Sequence, residues 1–124
     1  MVIKNGNLFT EDAQFVKQDI AFNGATIDAI GENLSGEEVF DATDCYVIPG
    51  FVDVHIHGAY GSDFCDNSEN DINTIAKYLV SQGVTSFLGT TMAFDEPILS
   101  GIFSTANPFF NKVIDGQATL RGVN

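Results

Sequence analysis

The seven residues Phe51-Val52-Asp53-Val54-His55-Ile56-His57 constrain this chain more than any other stretch. Apolar and polar side chains alternate at a period of two. An extended backbone therefore sends Val52, Val54 and Ile56 to one face and Phe51, Asp53, His55 and His57 to the other. One aliphatic and one ionisable face suit a sheet with helices outside and a site inside. Pro49-Gly50 turns the chain into the strand, and Gly58 lets the backbone turn away after it. In α/β folds the carboxyl ends of parallel strands are where sites are built.

The residues that follow extend this strand into a parallel layer. Ser68 is an N-cap with Asp71 three residues on. Ile72, Ile75, Ala76, Leu79 and Val80 recur at helical spacing, and Gly83 supplies a left-handed stop. Val84 to Thr90 is the next strand. A strand–helix–strand run of this length predicts a right-handed βαβ unit with parallel strands. Asp95 caps a second helix with Pro97 in its first turn, and Ile98, Leu99, Ile102, Phe103 and Ala106 form its stripe. Asn107-Pro108 ends or kinks it. Asp115-Gly116 turns the chain into a third strand over 118–123. That strand has no helix after it to cover its outer face, so residues 49–124 read as the opening of something longer.

Residues 1–48 differ in character. Asn5-Gly6 and Asn23-Gly24 are hairpin signals. Short strands are expected around them at 1–4, 8–10, 15–22 and 25–30. A polar loop at 31–38 precedes two more strands at 39–41 and 46–48. No titratable constellation stands out in this small β-layer, which reads as structural.

The chain carries 17 acidic and 5 basic side chains over 124 residues, a net charge of −12. That balance argues against nucleic acid and against anionic membrane surfaces as partners. No apolar run reaches the ~20 residues of a membrane span, and no signal peptide opens the chain. A cytoplasmic protein is expected. Cys45 and Cys65 make no disulfide framework and read as free thiols of a reducing compartment.

His55-Ile56-His57 carries the chemical signal. Strand residues two apart lie ~6.5–7 Å apart on one face. Two imidazoles at that spacing can converge on one divalent ion, and neutral imidazole suits Zn²⁺, Fe²⁺ and similar metals. Asp53, on the same face, either orients a ligand by accepting a ring N–H or makes a structural hydrogen bond. Asp63 and Asp66 flank the loop after the strand and read as solvated acids. Thr90 and Thr91 end the next strand on the same rim, where they could touch ligand, although β-branched strand residues need no such role. Phe103, Phe109 and Phe110 read as core or interface.

The run from Pro49 to Gly58 resembles the first-strand signature of the amidohydrolase superfamily. The loop from His57 to Asp66, the strand Gly83 to Thr91 and the closing Leu120-Arg121-Gly122-Val123-Asn124 are similar to those of the N-acetylglucosamine-6-phosphate deacetylase family. The β-rich opening, with Lys4-Asn5-Gly6, resembles that family's small β-sandwich segment. The resemblance covers nearly the whole chain but only the N-terminal portion of the family.

It implies an α/β fold: a small sandwich-like segment, then the first two βα units and third strand of an incomplete (β/α)8 barrel. It implies hydrolysis of the acetamide of an amino-sugar phosphate, to acetate and glucosamine 6-phosphate, with one or two divalent ions (Zn, Fe or similar) per complete site. By motif match His55 and His57 hold one metal. The metal-binding Glu of a Leu-Glu-Gly-Pro run and the general acid/base are expected beyond Asn124, so this chain alone is expected to be inactive. A homodimer, or association with the remainder of the barrel, is expected. Apart from Arg121, no basic residue of this segment suits a phosphate clamp, and the clamp is expected in the portion beyond Asn124. Two other readings remain open: another amidohydrolase, dihydroorotase-like or hydantoinase-like, and a non-catalytic metal-binding or assembly module.

Overall fold

The computed structural model describes residues 1–124, which divide into two compact units, Met1–Pro49 and Gly50–Asn124. The first is a β-layer. Strands β1 (Val2–Phe9), β2 (Phe15–Asn23) and β3 (Thr26–Gly31) form an antiparallel meander, and β4 (Val39–Asp41) and β5 (Tyr46–Val47) add to β1 in parallel. The β2–β3 turn is centred on Gly24-Ala25, with Gly24 at φ 57, the positive value that a tight hairpin demands at its first central position.

Asn5-Gly6 does not make the expected hairpin. β1 runs straight through it, with a register shift between Ile3 and Gly6 against β2. Asn5 adopts φ 63 inside this bulge. Its N–H is taken by Asp19 Oδ1 at 2.9 Å, and its amide donates to Asp41 Oδ1 at 3.0 Å. The left-handed residue that the dipeptide signalled is present, but it serves a bulge because the pairing strand arrives from farther along the chain.

The second unit holds a three-stranded parallel sheet in the order β10-β9-β6, from β6 (Phe51–Ile56), β9 (Val84–Gly89) and β10 (Thr119–Val123). A short hairpin of β7 (Gly58–Ala59) and β8 (Ser62–Asp63) follows β6. Helix α1 (Glu69–Ser81) joins this region to β9, and α2 (Glu96–Ala106) leads toward β10. The buried cluster joins Phe64, Ile72, Ile75, Ala76, Leu79, Phe87, Ile102, Ala106, Ala118 and Leu120. Ile56, Cys65, Val84 and Phe109 pack on its margin.

Helix α1 follows its sequence signals at both ends, whereas Asp95 stands at the N-cap of α2, with Pro97 in the first turn, without making the expected side-chain capping bond. Ser68 Oγ accepts from Asp71 N at 3.3 Å, and Gly83, at φ 80, follows the last turn of α1. Hydrogen bonds from the Ser62 and Ser68 hydroxyls hold the Asp71 carboxyl below the usual carboxylate range. Ser68→Ala is expected to lower the unit's stability by about 1 kcal/mol, measured as a shift of the urea midpoint, while Ser68→Asp leaves it nearly unchanged. Val80 at the end of the α1 stripe is exposed, as are Ile98 and Phe103 on α2, whose burial rests on Ile102 and Ala106. The α-helix ends at Asn107-Pro108 as expected, and the chain tightens there into a 3₁₀ turn over Asn107–Phe109.

The aliphatic face expected on β6 is only partly covered. Ile56 packs against the core, but Val52 and Val54 are 61% and 60% exposed. β6 is an edge strand of this sheet, and the buried cluster centres on Phe87 of the middle strand. No helix of the structure is long and apolar enough to cross a membrane.

Candidate functional site

The polar end of β6 is shaped by a bulge. Asp53 pairs with Phe87 and Ile56 with Gly89, so Val54 and His55 together face the single residue Leu88. Asp53 Oδ1 accepts from His55 N at 3.0 Å within this bulge. Asp53 thus makes the structural bond of the two expected roles, to the backbone and not to a ring. The strict alternation of the sequence is broken here, yet the two imidazoles still lie side by side. Their ring centroids are 5.1 Å apart with planes at 78°.

Each histidine is held differently. His55 is exposed, and its Nδ1 lies 3.1 Å from the Asn124 side-chain amide, with donor and acceptor roles set by the ring tautomer. The same amide donates to Val54 O at 3.3 Å. His57 is half-buried, and its Nδ1 is a buried nitrogen with no hydrogen-bond partner. The main chain around it is firmly tied: Phe64 N donates to His57 O at 2.7 Å, and Thr90 N to Ile56 O at 2.7 Å. Two adjacent imidazoles form a pair of nitrogen donors of the kind that fits a borderline divalent ion. No third His, Cys, Asp or Glu joins them in a three-ligand group.

The loop acids are arranged as local structure. Asp63 caps the short 3₁₀ turn Phe64–Asp66 by accepting from Cys65 N at 2.7 Å, and Asp66 is exposed. Burial pushes the Cys65 thiol above its ordinary range; a bond from the Met92 backbone opposes this, and the Asp63 and Asp66 charges add to it. Cys45 is exposed, so a thiol reagent at neutral pH is expected to modify it well before Cys65, as peptide mapping of a partial reaction would show. Equal labelling of the two would contradict this placement.

Arg121 is engaged by its own unit, donating to Ser86 Oγ at 3.3 Å and to Asn111 Oδ1 at 3.1 Å. Phe103 and Phe110, 45% and 50% exposed, line an apolar cleft of about 250 Å³ with Leu120 and Val123, while Phe109 packs on the core. Thr91 is half-buried and its N–H bonds Asn124 O at 3.0 Å. Asn124 is a residue the sequence did not single out, and Thr90, which the sequence placed on the same rim, has a setting the sequence did not show. Asn124 reaches His55, and Thr90 is 4% exposed with its hydroxyl unpartnered. Their signal is tertiary: both stand at the ends of strands neighbouring in the sheet, far from His55 and His57 along the chain.

No family model matches the chain. Among curated proteins it is 40% identical over 89 residues to an allantoinase of Enterococcus faecalis, covering 71% of this chain and 19% of that protein. It is 30% identical over 96 residues to an N-acetylglucosamine-6-phosphate deacetylase of Bacillus subtilis, covering 74% of this chain and 24% of that protein. A dihydroorotase of Lactobacillus johnsonii is 46% identical over 56 residues, 45% of this chain and 13% of that protein. The backbone superposes on the crystal structure of the N-acetylglucosamine-6-phosphate deacetylase from Pasteurella multocida with a TM-score of 0.83 at 17% identity, covering 92% of this chain and 31% of that one. The chain therefore spans about a quarter or less of the length of these curated relatives. Its α/β backbone and its sequence correspond to the N-terminal portion of an amidohydrolase, with N-acetylglucosamine-6-phosphate deacetylases among the relatives that cover most of it.

Proposed function

We propose that this chain builds the first part of the metal site of an N-acetylglucosamine-6-phosphate deacetylase, with His55 and His57 as metal ligands. The observation that carries the reading is the pair of imidazoles 5.1 Å apart at the carboxyl end of a parallel strand. In this reading Gly50–Asn124 is the opening of a (β/α)8 barrel, Met1–Pro49 a small sandwich-like companion, and the protein cytoplasmic. The substrate is an amino-sugar phosphate whose acetamide is cleaved to acetate and glucosamine 6-phosphate. The protein works as a homodimer or with the rest of its barrel.

A divalent ion at such a site supplies Lewis-acid polarisation of the amide carbonyl and lowers the pKa of water. His55 and His57 supply neutral nitrogen donors for it. The β6 bulge, closed by Asp53 on His55 N, fixes the backbone at His55, and the bond from Thr90 N to Ile56 O fixes it between the two histidines. Two donors hold an ion weakly, so the chain alone is expected to bind Zn²⁺ or Co²⁺ with modest affinity and to show no deacetylase activity. Equilibrium dialysis of the chain and of His55→Ala/His57→Ala tests the ligands: binding is expected to vanish in the double variant, and equal binding in both would sink the assignment.

A second reading has its own support. The allantoinase and dihydroorotase relatives are more identical over their matched stretches than the deacetylase is. Cyclic-amide hydrolysis at the same histidine pair is therefore the competing activity. A polypeptide carrying this segment and a complete site, assayed on N-acetylglucosamine 6-phosphate, dihydroorotate and allantoin, separates the two by which substrate is turned over.

A further inference from the structure

Two side-chain atoms are buried with no hydrogen-bond partner, His57 Nδ1 and Thr90 Oγ1. Such groups are rare in folded proteins, and leaving one unpaired costs about 1–3 kcal/mol. Each directly follows the last paired residue of its strand. Ile56 is in register with Gly89, and Ile56 O accepts from Thr90 N at 2.7 Å. Both strands end there, and continuing their register by one residue would set His57 opposite Thr90 across the ~4.8 Å interstrand spacing, with both side chains on one face. Thr90 is one of three buried polar residues of the chain, with Asp19 and Thr119. Its hydroxyl can accept one proton while keeping its own, and a neutral imidazole has one N–H to give.

We propose that Thr90 is the positioning residue of His57: its hydroxyl oxygen accepts the Nδ1 proton, after a χ1 rotation or through one bridging water, so that Nε2 keeps its lone pair. The pairing satisfies both buried atoms with one interaction. It also fixes the tautomer in which Nε2 is free to ligate, as partners of ligating histidines commonly do. This use of the pairing rests on the metal reading of His57; the pairing itself does not.

The test is long-range ¹H–¹⁵N NMR of the histidine rings in the metal-free chain, above the pH at which imidazole titrates, with His55 as internal reference. The expected result is an Nδ1-protonated His57 in the native chain, a shift toward Nε2–H in Thr90→Val, and recovery in Thr90→Ser. Zn²⁺ affinity by equilibrium dialysis should fall about 10–100-fold in Thr90→Val and return in Thr90→Ser. An Nε2–H tautomer in the native chain overturns the proposal even if Thr90→Val fails to fold. So does a tautomer that the folded valine variant leaves unchanged. A native chain that binds no ion but shows the tautomer response overturns the metal reading and leaves the Thr90–His57 pairing standing.

Discussion

Phe87→Ala is expected to lower the stability of the Gly50–Asn124 unit by about 3–5 kcal/mol. Phe87 is fully buried in the middle strand of the three-stranded sheet, at the centre of the cluster that joins α1, α2 and β10. Truncation loses the transfer free energy of the ring and leaves a cavity that strands on both sides prevent from closing. A domain of this size is stable by only about 5–15 kcal/mol, so the change takes a large share. Urea denaturation followed by far-UV circular dichroism measures it. Hydrogen exchange should show protection lost first in β9 and its two partners. A cost below 1 kcal/mol would mean that Phe87 is not the centre of this core.

Asp19→Ala is expected to destabilise the Met1–Pro49 unit by about 2–4 kcal/mol, because it strands two backbone donors at once. Asp19 is 5% exposed, and its carboxylate accepts from Asn5 N at 2.9 Å and from Leu34 N at 3.0 Å. It therefore ties the β1 bulge to the loop after β3. Its ion pair with Lys4 is long, at 3.8 Å, and the Lys4 side chain is 31% exposed, so solvent screens it. Lys4→Met should accordingly cost well under half of what Asp19→Ala does. Asp19→Asn, which keeps an acceptor, should fall between them. Equal costs for Lys4→Met and Asp19→Ala would show that the charge, and not the two backbone bonds, is what Asp19 contributes.

Much of the secondary structure could be read from local chemistry. Ser68 and Gly83 mark the ends of α1 because a hydroxyl acceptor and a left-handed glycine act within one turn of the chain. The parallel pairing of β6 and β9 followed from the length of the helical connection between them. Where the reading failed, a distant partner decided. Asn5 carries the positive φ its dipeptide signals, yet Asp19 and the strand at 15–23 turn that residue into a bulge instead of a hairpin. Val80, Ile98 and Phe103 keep helical spacing but meet no neighbour that covers them.

The candidate site divides along the same line. His55 and His57 could be singled out because an extended backbone keeps residues two apart on one face. That relation is local enough to survive the bulge between Asp53 and Ile56. The role of Asp53 depended on where the bulge set His55 N, and only the fold fixes that. The approach of Asn124 to His55, and the burial of Thr90 Oγ1 without a partner, needed the sheet order β10-β9-β6 and its register. The sequence by itself determined the strand, its histidine pair and the helix that follows. The tertiary structure alone decided what surrounds them, because cross-strand neighbours are chosen by pairing between segments tens of residues apart.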